Sequence, residues 1–201
     1  MNNIKTLLPQ TFLALEDLRK NDIYLPQMDR DTIVVDFFPE TIPQLVQCLS
    51  DITAAFYGGM LKQAGDLFGP EAINQLSTSF FYNLGATNAM NNLSKRPELK
   101  SGLPDTAKIL IATIFTSSPE YSFEFIELDD QKLVMLIKGQ DRYHRIARSF
   151  NIENNLTWPV IKPFIEGICA GMKLNTSCKM DVLKLKENST CLYKLSITLN
   201  N

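Results

Sequence analysis

The feature that most constrains the fold is a pair of strand-like segments, repeated on either side of one helix-like segment in the second half of the chain. YSFEFIEL (121–128) alternates apolar and polar side chains, DDQK follows as a tight turn, and KLVMLIKG (132–139) returns as a second strand. CKMDVLKLKEN and TCLYKLSI close the chain with a second alternating pair. One face of such strands is buried, so the pattern predicts the order strand–strand–helix–strand–strand.

Helical spacing dominates the region before the first hairpin. Apolar residues recur every three or four positions from Glu40. The pair Gly58-Gly59 interrupts this pattern and is expected to allow a kink or a close approach, and Gly69-Pro70 is a helix stop followed by a helix start. A third apolar helix follows at LPDTAKILIATIFTSS, and Thr157 is expected to cap the helix between the two hairpins. The predicted fold class is α+β, with N-terminal helices packed on one face of a four-stranded antiparallel sheet.

The first 39 residues have a separate character. Residues 4–20 show helical spacing broken at Pro9, and TIVVDFF (32–38) reads as a short strand or an extended arm. The sequence therefore predicts an N-terminal helix and arm over residues 1–39 and a single α+β domain of ligand-binding type over residues 40–201.

Composition excludes several classes of protein. The net charge is −2, so no domain-wide basic field attracts nucleic acid. No apolar run approaches the roughly 20 residues that span a bilayer, and charged residues soon interrupt the apolar N-terminus, unlike a secretory signal. The four cysteines form no CxxC pair, which fits reduced thiols. We expect a cytoplasmic protein.

The cysteines near the C-terminus are predicted to be packing residues. A two-residue turn at Glu187-Asn188 would pair Lys184 with Cys191, Val182 with Tyr193, Met180 with Leu195 and Cys178 with Ile197. Cys178 and Cys191 would then lie ~20 Å apart, too far for a disulfide or a shared metal. Cys169 lies near a helix C-terminus, where nothing activates a thiolate. Cys48 lies beside an apolar helix face and has the same interpretation.

The segment DRYHRIAR (141–148) has the highest density of charged and titratable side chains that are suited to binding or catalysis. Its arginines present a fork to a carboxylate or small anion, or else form a solvated basic segment. His144 is the single histidine of the chain and has no neighbouring metal-ligand pattern, so no metal site is predicted. No dinucleotide, P-loop or nucleophile-elbow motif is present, so no cofactor is predicted.

The helix and hairpin at the C-terminus carry a family resemblance. FIEGICAGM (164–172), followed by CKMDVLKLKEN and TCLYKLSI, resembles the C-terminal half of the 4-vinyl reductase-type domain, whose fold is shared with TRAPP vesicle-transport subunits and haem-based nitric-oxide sensors. FYGGMLKQAGDLFGPEAINQL (56–76) is similar to the amino-thiazoline carboxylate hydrolase-like group. Haem is not expected, because Arg145 stands where the sensors' YxSxR motif has serine and residues 40–120 contain no histidine.

The resemblance implies a ligand-binding or assembly domain, and three hypotheses follow. The first is a small-molecule-binding or sensory domain with an apolar pocket between helices and sheet, for an apolar or carboxylate ligand. The second is a hydrolase acting on a small carboxylate, with Cys169 or His144 as the catalytic residue, although the sequence shows no catalytic partner for either. The third is a homodimeric assembly domain that packs its glycine-rich helix 40–68 on a partner. The predicted site residues are Tyr57, Phe81, Arg142, His144, Arg145, Trp158 and Cys169.

Overall fold

The computed structural model describes residues 8–200, and the chain separates into two compact units, Met1–Leu49 and Ser50–Asn201. The first unit contains α1 (Gln10–Leu15), a 3-10 helix (Glu16–Arg19) and α2 (Arg30–Phe37). The division that the sequence predicts, after residue 39, stays a prediction. The start of the predicted helix at residues 4–7 lies outside the described residues.

Residues 32–37 are helical and Phe38 follows the end of α2, so the predicted strand or extended arm is wrong. The Asp29 carboxylate caps α2 by accepting hydrogen bonds from the backbone N–H groups of Asp31 and Thr32, at 3.1 and 3.3 Å. The rings of Phe12 and Phe38 meet edge to face with centroids 5.4 Å apart. Capping and this contact outweigh the β propensity of the TIVV run, which is a weak local preference.

Three long helices follow: α3 (Ile42–Phe68), α4 (Pro70–Lys95) and α5 (Leu103–Ser117). The predicted break at Gly69-Pro70 is confirmed, with Gly69 at φ 94° and Pro70 at the first helical position. The helix α3 is continuous at Gly58-Gly59, so the predicted interruption is wrong, whereas the close approach that the sequence also predicted for this pair is confirmed. A Cβ at Gly58 would lie 2.3 Å from Ile146 Cγ2, so the glycine gives room for a neighbouring side chain rather than a kink.

The sheet has four antiparallel strands in the order β1-β2-β4-β3. The strands are β1 (Tyr121–Leu128), β2 (Lys132–Gln140), β3 (Thr176–Leu185) and β4 (Thr190–Leu199). One face is fully buried at the cross-strand pairs Leu133–Ile197, Met135–Leu195 and Ile137–Tyr193. The predicted α+β class and the antiparallel sheet are confirmed.

Between the hairpins lie α6 (Arg142–Ser149), a 3-10 helix (Glu153–Asn155) and α7 (Lys162–Gly171). Thr157 is not the cap that the sequence predicts, because α7 begins at Lys162 after Ile161. The final hairpin has the predicted pairs Cys178–Ile197, Met180–Leu195 and Val182–Tyr193. A bulge after Val182 then shifts the register, so Leu185 rather than Lys184 faces Cys191.

Candidate ligand-binding cleft

An apolar cleft of about 870 Å³ lies among α3, α4 and α5. Each helix contributes a stripe of side chains at a spacing of three or four residues, which places them on one helix face. The stripes are Ile52, Phe56 and Met60 from α3, Leu76, Phe80 and Leu84 from α4, and Leu110 and Ile114 from α5. The volume falls in the usual range for small-molecule sites, roughly 300–1,000 Å³.

One side of the cleft is open to solvent. The side chains of Ile52, Phe56 and Met60 are 65%, 72% and 57% exposed, although all three line the cleft. Apolar side chains grouped on an open surface commonly mark a binding site for a ligand or a partner.

A packed group of aromatic rings forms one wall. The Phe81 ring lies 5.2 Å from each of the Tyr57 and Tyr143 rings, measured between centroids, in tilted and edge-on arrangements. The Tyr57 hydroxyl is 2.6 Å from Ser77 Oγ, which fixes the ring, and burial raises the pKa of Tyr57. This wall is therefore held in place by its own contacts.

One end of the cleft is polar and enclosed. Arg142 is 3% exposed and is the one charged residue among the lining residues that the structure describes. Its Nη2 donates to the Tyr143 hydroxyl at 2.9 Å, and its Nε lies 3.6 Å from Glu120 Oε1. Within residues 8–200, Arg142 Nε and Nη1 and the hydroxyl of Tyr121 have no hydrogen-bond partner.

Strand pairing brings these polar groups together. Tyr121 opens β1 and pairs with Gly139 near the end of β2, so Glu120 lies beside the residues that lead into α6. Gly139 has φ 147°, and a Cβ there would lie 2.1 Å from the Glu120 carbonyl oxygen. Asp141 caps α6 by accepting the His144 N–H at 3.0 Å, and this turn directs Arg142 into the fold.

Burial sets the protonation of this end of the cleft. Burial raises the pKa of the Tyr121 hydroxyl well above its usual value, so the hydroxyl is a hydrogen-bond donor at neutral pH. Burial also raises the pKa of Glu120, although Arg142 opposes that shift.

The predicted site residues separate into two groups. Tyr57, Phe81 and Arg142 line the cleft. The other four, which are not among the described lining residues, are His144, Arg145, Trp158 and Cys169. The sequence interpretation also missed Glu120 and Tyr121, although the predicted hairpin alone places the start of β1 opposite the end of β2.

His144 and Trp158 contact each other away from the cleft. Their rings meet edge to face at 4.9 Å, and His144 Nδ1 lies 2.9 Å from Ser189 Oγ. Trp158 Nε1 donates to the carbonyl oxygen of Glu153 at 3.0 Å. Burial lowers the pKa of His144, which keeps the ring neutral.

Arg145 and Cys169 have different surroundings. Arg145 is half exposed and forms an ion pair with Asp51. Cys169 is buried in α7, and burial raises its thiol pKa, which is the opposite of what a nucleophile needs. In residues 8–200 no cluster of three His, Cys, Asp or Glu side chains is suited to a metal ion.

The comparisons with known proteins concern the fold alone. No protein-family model matches the sequence. No curated protein matches it either. The structure is similar to a crystal structure of trafficking protein particle complex subunit 3 from Naegleria fowleri, covalently bound to palmitic acid, with a TM-score of 0.50 and 16% identity over 77% of this chain and 97% of that chain. The chain therefore has the fold of this class of subunit. Across the described residues, no helix is both long enough and apolar enough to cross a membrane.

Proposed function

We propose that this chain is a binding domain for a small apolar or amphipathic molecule, which lies in the cleft of α3, α4 and α5. The observation that carries the proposal is an apolar volume of about 870 Å³ that is walled by fixed aromatic rings and open to solvent on one side. The similar subunit from Naegleria fowleri carries palmitic acid, which makes a long acyl chain the first ligand to test.

Binding here would be non-covalent. The neighbour's palmitic acid is covalently attached, whereas no cysteine is among the described residues that line this cleft. Cys169 and Cys191 are buried elsewhere and Cys48 is exposed. A cytosolic location, and a relationship to the 4-vinyl reductase-type or amino-thiazoline carboxylate hydrolase-like domains, are part of the same proposal and rest on the sequence resemblance.

The proposal is tested with a neutral fluorescent probe, Nile red, and a matched pair of variants. Phe80 lines the cleft and is 52% exposed, whereas Phe115 is 75% exposed and is not among the described lining residues. Phe80→Glu should weaken probe binding tenfold or more, since a Phe side chain contributes about 1.5–3 kcal/mol of apolar contact and 1.4 kcal/mol is tenfold in affinity. Phe115→Glu should leave binding unchanged. Equal effects of the two substitutions, or no saturable binding, would overturn the proposal.

Native mass spectrometry of freshly purified protein is the complementary measurement. A co-purified molecule at one per chain, absent from Phe80→Glu, would identify the ligand class directly. The same spectrum reports the oligomeric state.

A homodimeric assembly domain is the second candidate function, and the exposed stripe of α3 favours it. Gly58 packs within the chain on Ile146 and Phe150, so the side of α3 left for a partner is the one that carries Phe56. Analytical ultracentrifugation at micromolar concentration should then show a dimer that Phe56→Glu converts to a monomer. A wild-type monomer would exclude this candidate and leave the cleft to a ligand.

A further inference from the structure

We infer that the enclosed end of the cleft is a carboxylate-binding site, in which Arg142 and Tyr121 hold the head group of a monocarboxylate amphiphile. This inference rests on the proposed function and assigns the chemistry and the orientation of the ligand. The acyl chain would extend from Arg142 toward the open side near Phe56.

Arg142 is buried, and some of its hydrogen-bond donors have no partner among the described residues. A guanidinium that is 97% buried normally has all of its donors satisfied, because an unpaired buried charge is strongly unfavourable. Arg142 has one hydrogen bond, from Nη2 to the Tyr143 hydroxyl. Nε and Nη1 have none among the described residues. Glu120 Oε1 forms an ion pair with Nε at 3.6 Å, which balances the charge but is too long for a hydrogen bond. The arginine therefore retains donors for a ligand that enters the cleft.

The Tyr121 hydroxyl provides a second donor at this end of the cleft. It is buried, lines the same cleft and lacks a partner within residues 8–200. A phenol that stays protonated is a donor, so this end of the cleft presents donors from two side chains and an apolar wall elsewhere. The two carboxylate oxygens of Glu120 also have no hydrogen-bond partner among the described residues, so neither donor is bonded to them, and an oxyanion in the cleft can accept from both side chains.

The charges of the residues around Arg142 favour a monoanion over a dianion as the ligand. Glu120 already lies beside Arg142, and Asp141 is buried at the start of the same helix, where it accepts from the Tyr193 hydroxyl at 2.6 Å. Glu120 already offsets the single charge of Arg142, so a phosphate dianion would add two uncompensated negative charges where a carboxylate adds one. Burial raises the pKa of Glu120, which favours the form that can donate a hydrogen bond to a carboxylate.

The test compares two ligands that differ only in the head group. Dodecanoic acid and dodecanol displace Nile red from the wild-type protein at pH 7.5, below their micellar concentrations. We expect the acid to bind about ten- to hundredfold more tightly than the alcohol, which is the ordinary range for a hydrogen-bonded ionic contact. Dodecyl phosphate should bind less tightly than the acid.

The variants identify the residues. Arg142→Met should abolish the preference for the acid, measured as the ratio of the acid affinity to the alcohol affinity, and Tyr121→Phe should reduce that ratio severalfold. Arg145→Met is the matched control, because Arg145 lies on the same helix but pairs with Asp51 at the surface. It should leave both affinities unchanged. Since Arg142→Met alone leaves Glu120 buried without its cation, the double variant Arg142→Met with Glu120→Gln provides a neutral version in case the single variant does not fold.

The outcomes separate this inference from the proposed function. Equal wild-type affinities for acid and alcohol would overturn the carboxylate site and leave the apolar cleft as a binding site. An acid preference that survives in both Arg142 variants, or a tighter fit for dodecyl phosphate, would also overturn it. A protein that binds neither ligand nor Nile red would overturn both.

Discussion

The crossing of α4 and α7 allows a sharp prediction about stability. Gly85 on α4 lies against the backbone of α7, and a Cβ at Gly85 would be 2.0 Å from the Phe164 carbonyl oxygen. The reverse contact is equally tight, because a Cβ at Gly167 would be 2.0 Å from the Tyr82 carbonyl oxygen. The obstacle is backbone on both sides, so no side-chain rotation relieves it. Gly85→Ala must force the two helices apart.

The magnitude follows from two opposing effects. Alanine is favoured over glycine inside a helix by about 1 kcal/mol, which acts in favour of the variant. Ordinary van der Waals contact begins at 3.4 Å, so the helices must separate locally by about 1.4 Å (3.4 minus 2.0). Overpacking of a single methyl group costs typically 1–3 kcal/mol, and a backbone obstacle places this site at or above the upper end. We expect a net loss of about 2 kcal/mol.

Urea unfolding followed by far-UV circular dichroism measures the change, and Gly59→Ala is the control. Gly59 is also helical, but the nearest atom to its added Cβ is Phe150 Cζ at 3.7 Å, which is ordinary contact. Gly59→Ala should therefore stabilise the protein by about 0.5–1 kcal/mol. Gly85→Ala should lower the thermal midpoint by about 4–8 °C. If Gly85→Ala is as stable as wild type while Gly59→Ala shows its gain, the close helix crossing is wrong.

Two further predictions concern titratable groups. Burial lowers the pKa of His144, so the stability that its neutral form contributes is present above its ordinary pKa of about 6.5 and is lost as pH falls through the lower folded-state pKa. His144→Asn, which keeps a group able to bond Ser189, should flatten the pH dependence of the urea midpoint between pH 8 and 5, and an unchanged profile would contradict this assignment. The second prediction concerns the four free thiols, of which Cys48 is exposed. Burial raises the pKa of the Cys169 thiol, and it raises the pKa of Cys178 and of Cys191 to about 12 each. One thiol should react quickly with Ellman's reagent at pH 8 and all four in urea, and Cys48→Ser should remove the fast reaction; a second fast thiol in the native protein would refute the burial.

The sheet could be predicted from the sequence because alternation carries its own register. In β3 and β4 the side chains of Met180 and Tyr193 must face the core, and a shift by one residue would expose both. The bulge after Val182 carries no such signal, since it moves only the last pairs, near the hairpin loop. The prediction for residues 32–38 is wrong for a different reason. Its cap and its aromatic contact come from residues outside the segment, which a local propensity does not include.

The candidate site was predictable only in part, for a reason of helix geometry. Successive residues on a helix are about 100° apart, so His144 lies about 200° around α6 from Arg142. The two side chains therefore cannot face the same cleft, although the sequence places them side by side. Both are buried, and which of them faces the cleft depends on the cap at Asp141 and on the pairing of β1 with β2, of which the pairing is a tertiary contact.

A small-molecule ligand and a second copy of the chain are the two proposed occupants of the cleft, and they differ in whether they can contact Arg142. A second copy that covers the exposed side chains of Ile52, Phe56 and Met60 would satisfy the outer part of the cleft. It would leave the free donors of Arg142 without a partner, because a helix packed on the surface does not reach a side chain that is 3% exposed. An amphiphile satisfies both parts of the cleft at once, since its chain covers the apolar walls while its carboxylate pairs with the buried cation. The unsatisfied donors of Arg142 and Tyr121 therefore favour a ligand over a partner helix as the occupant.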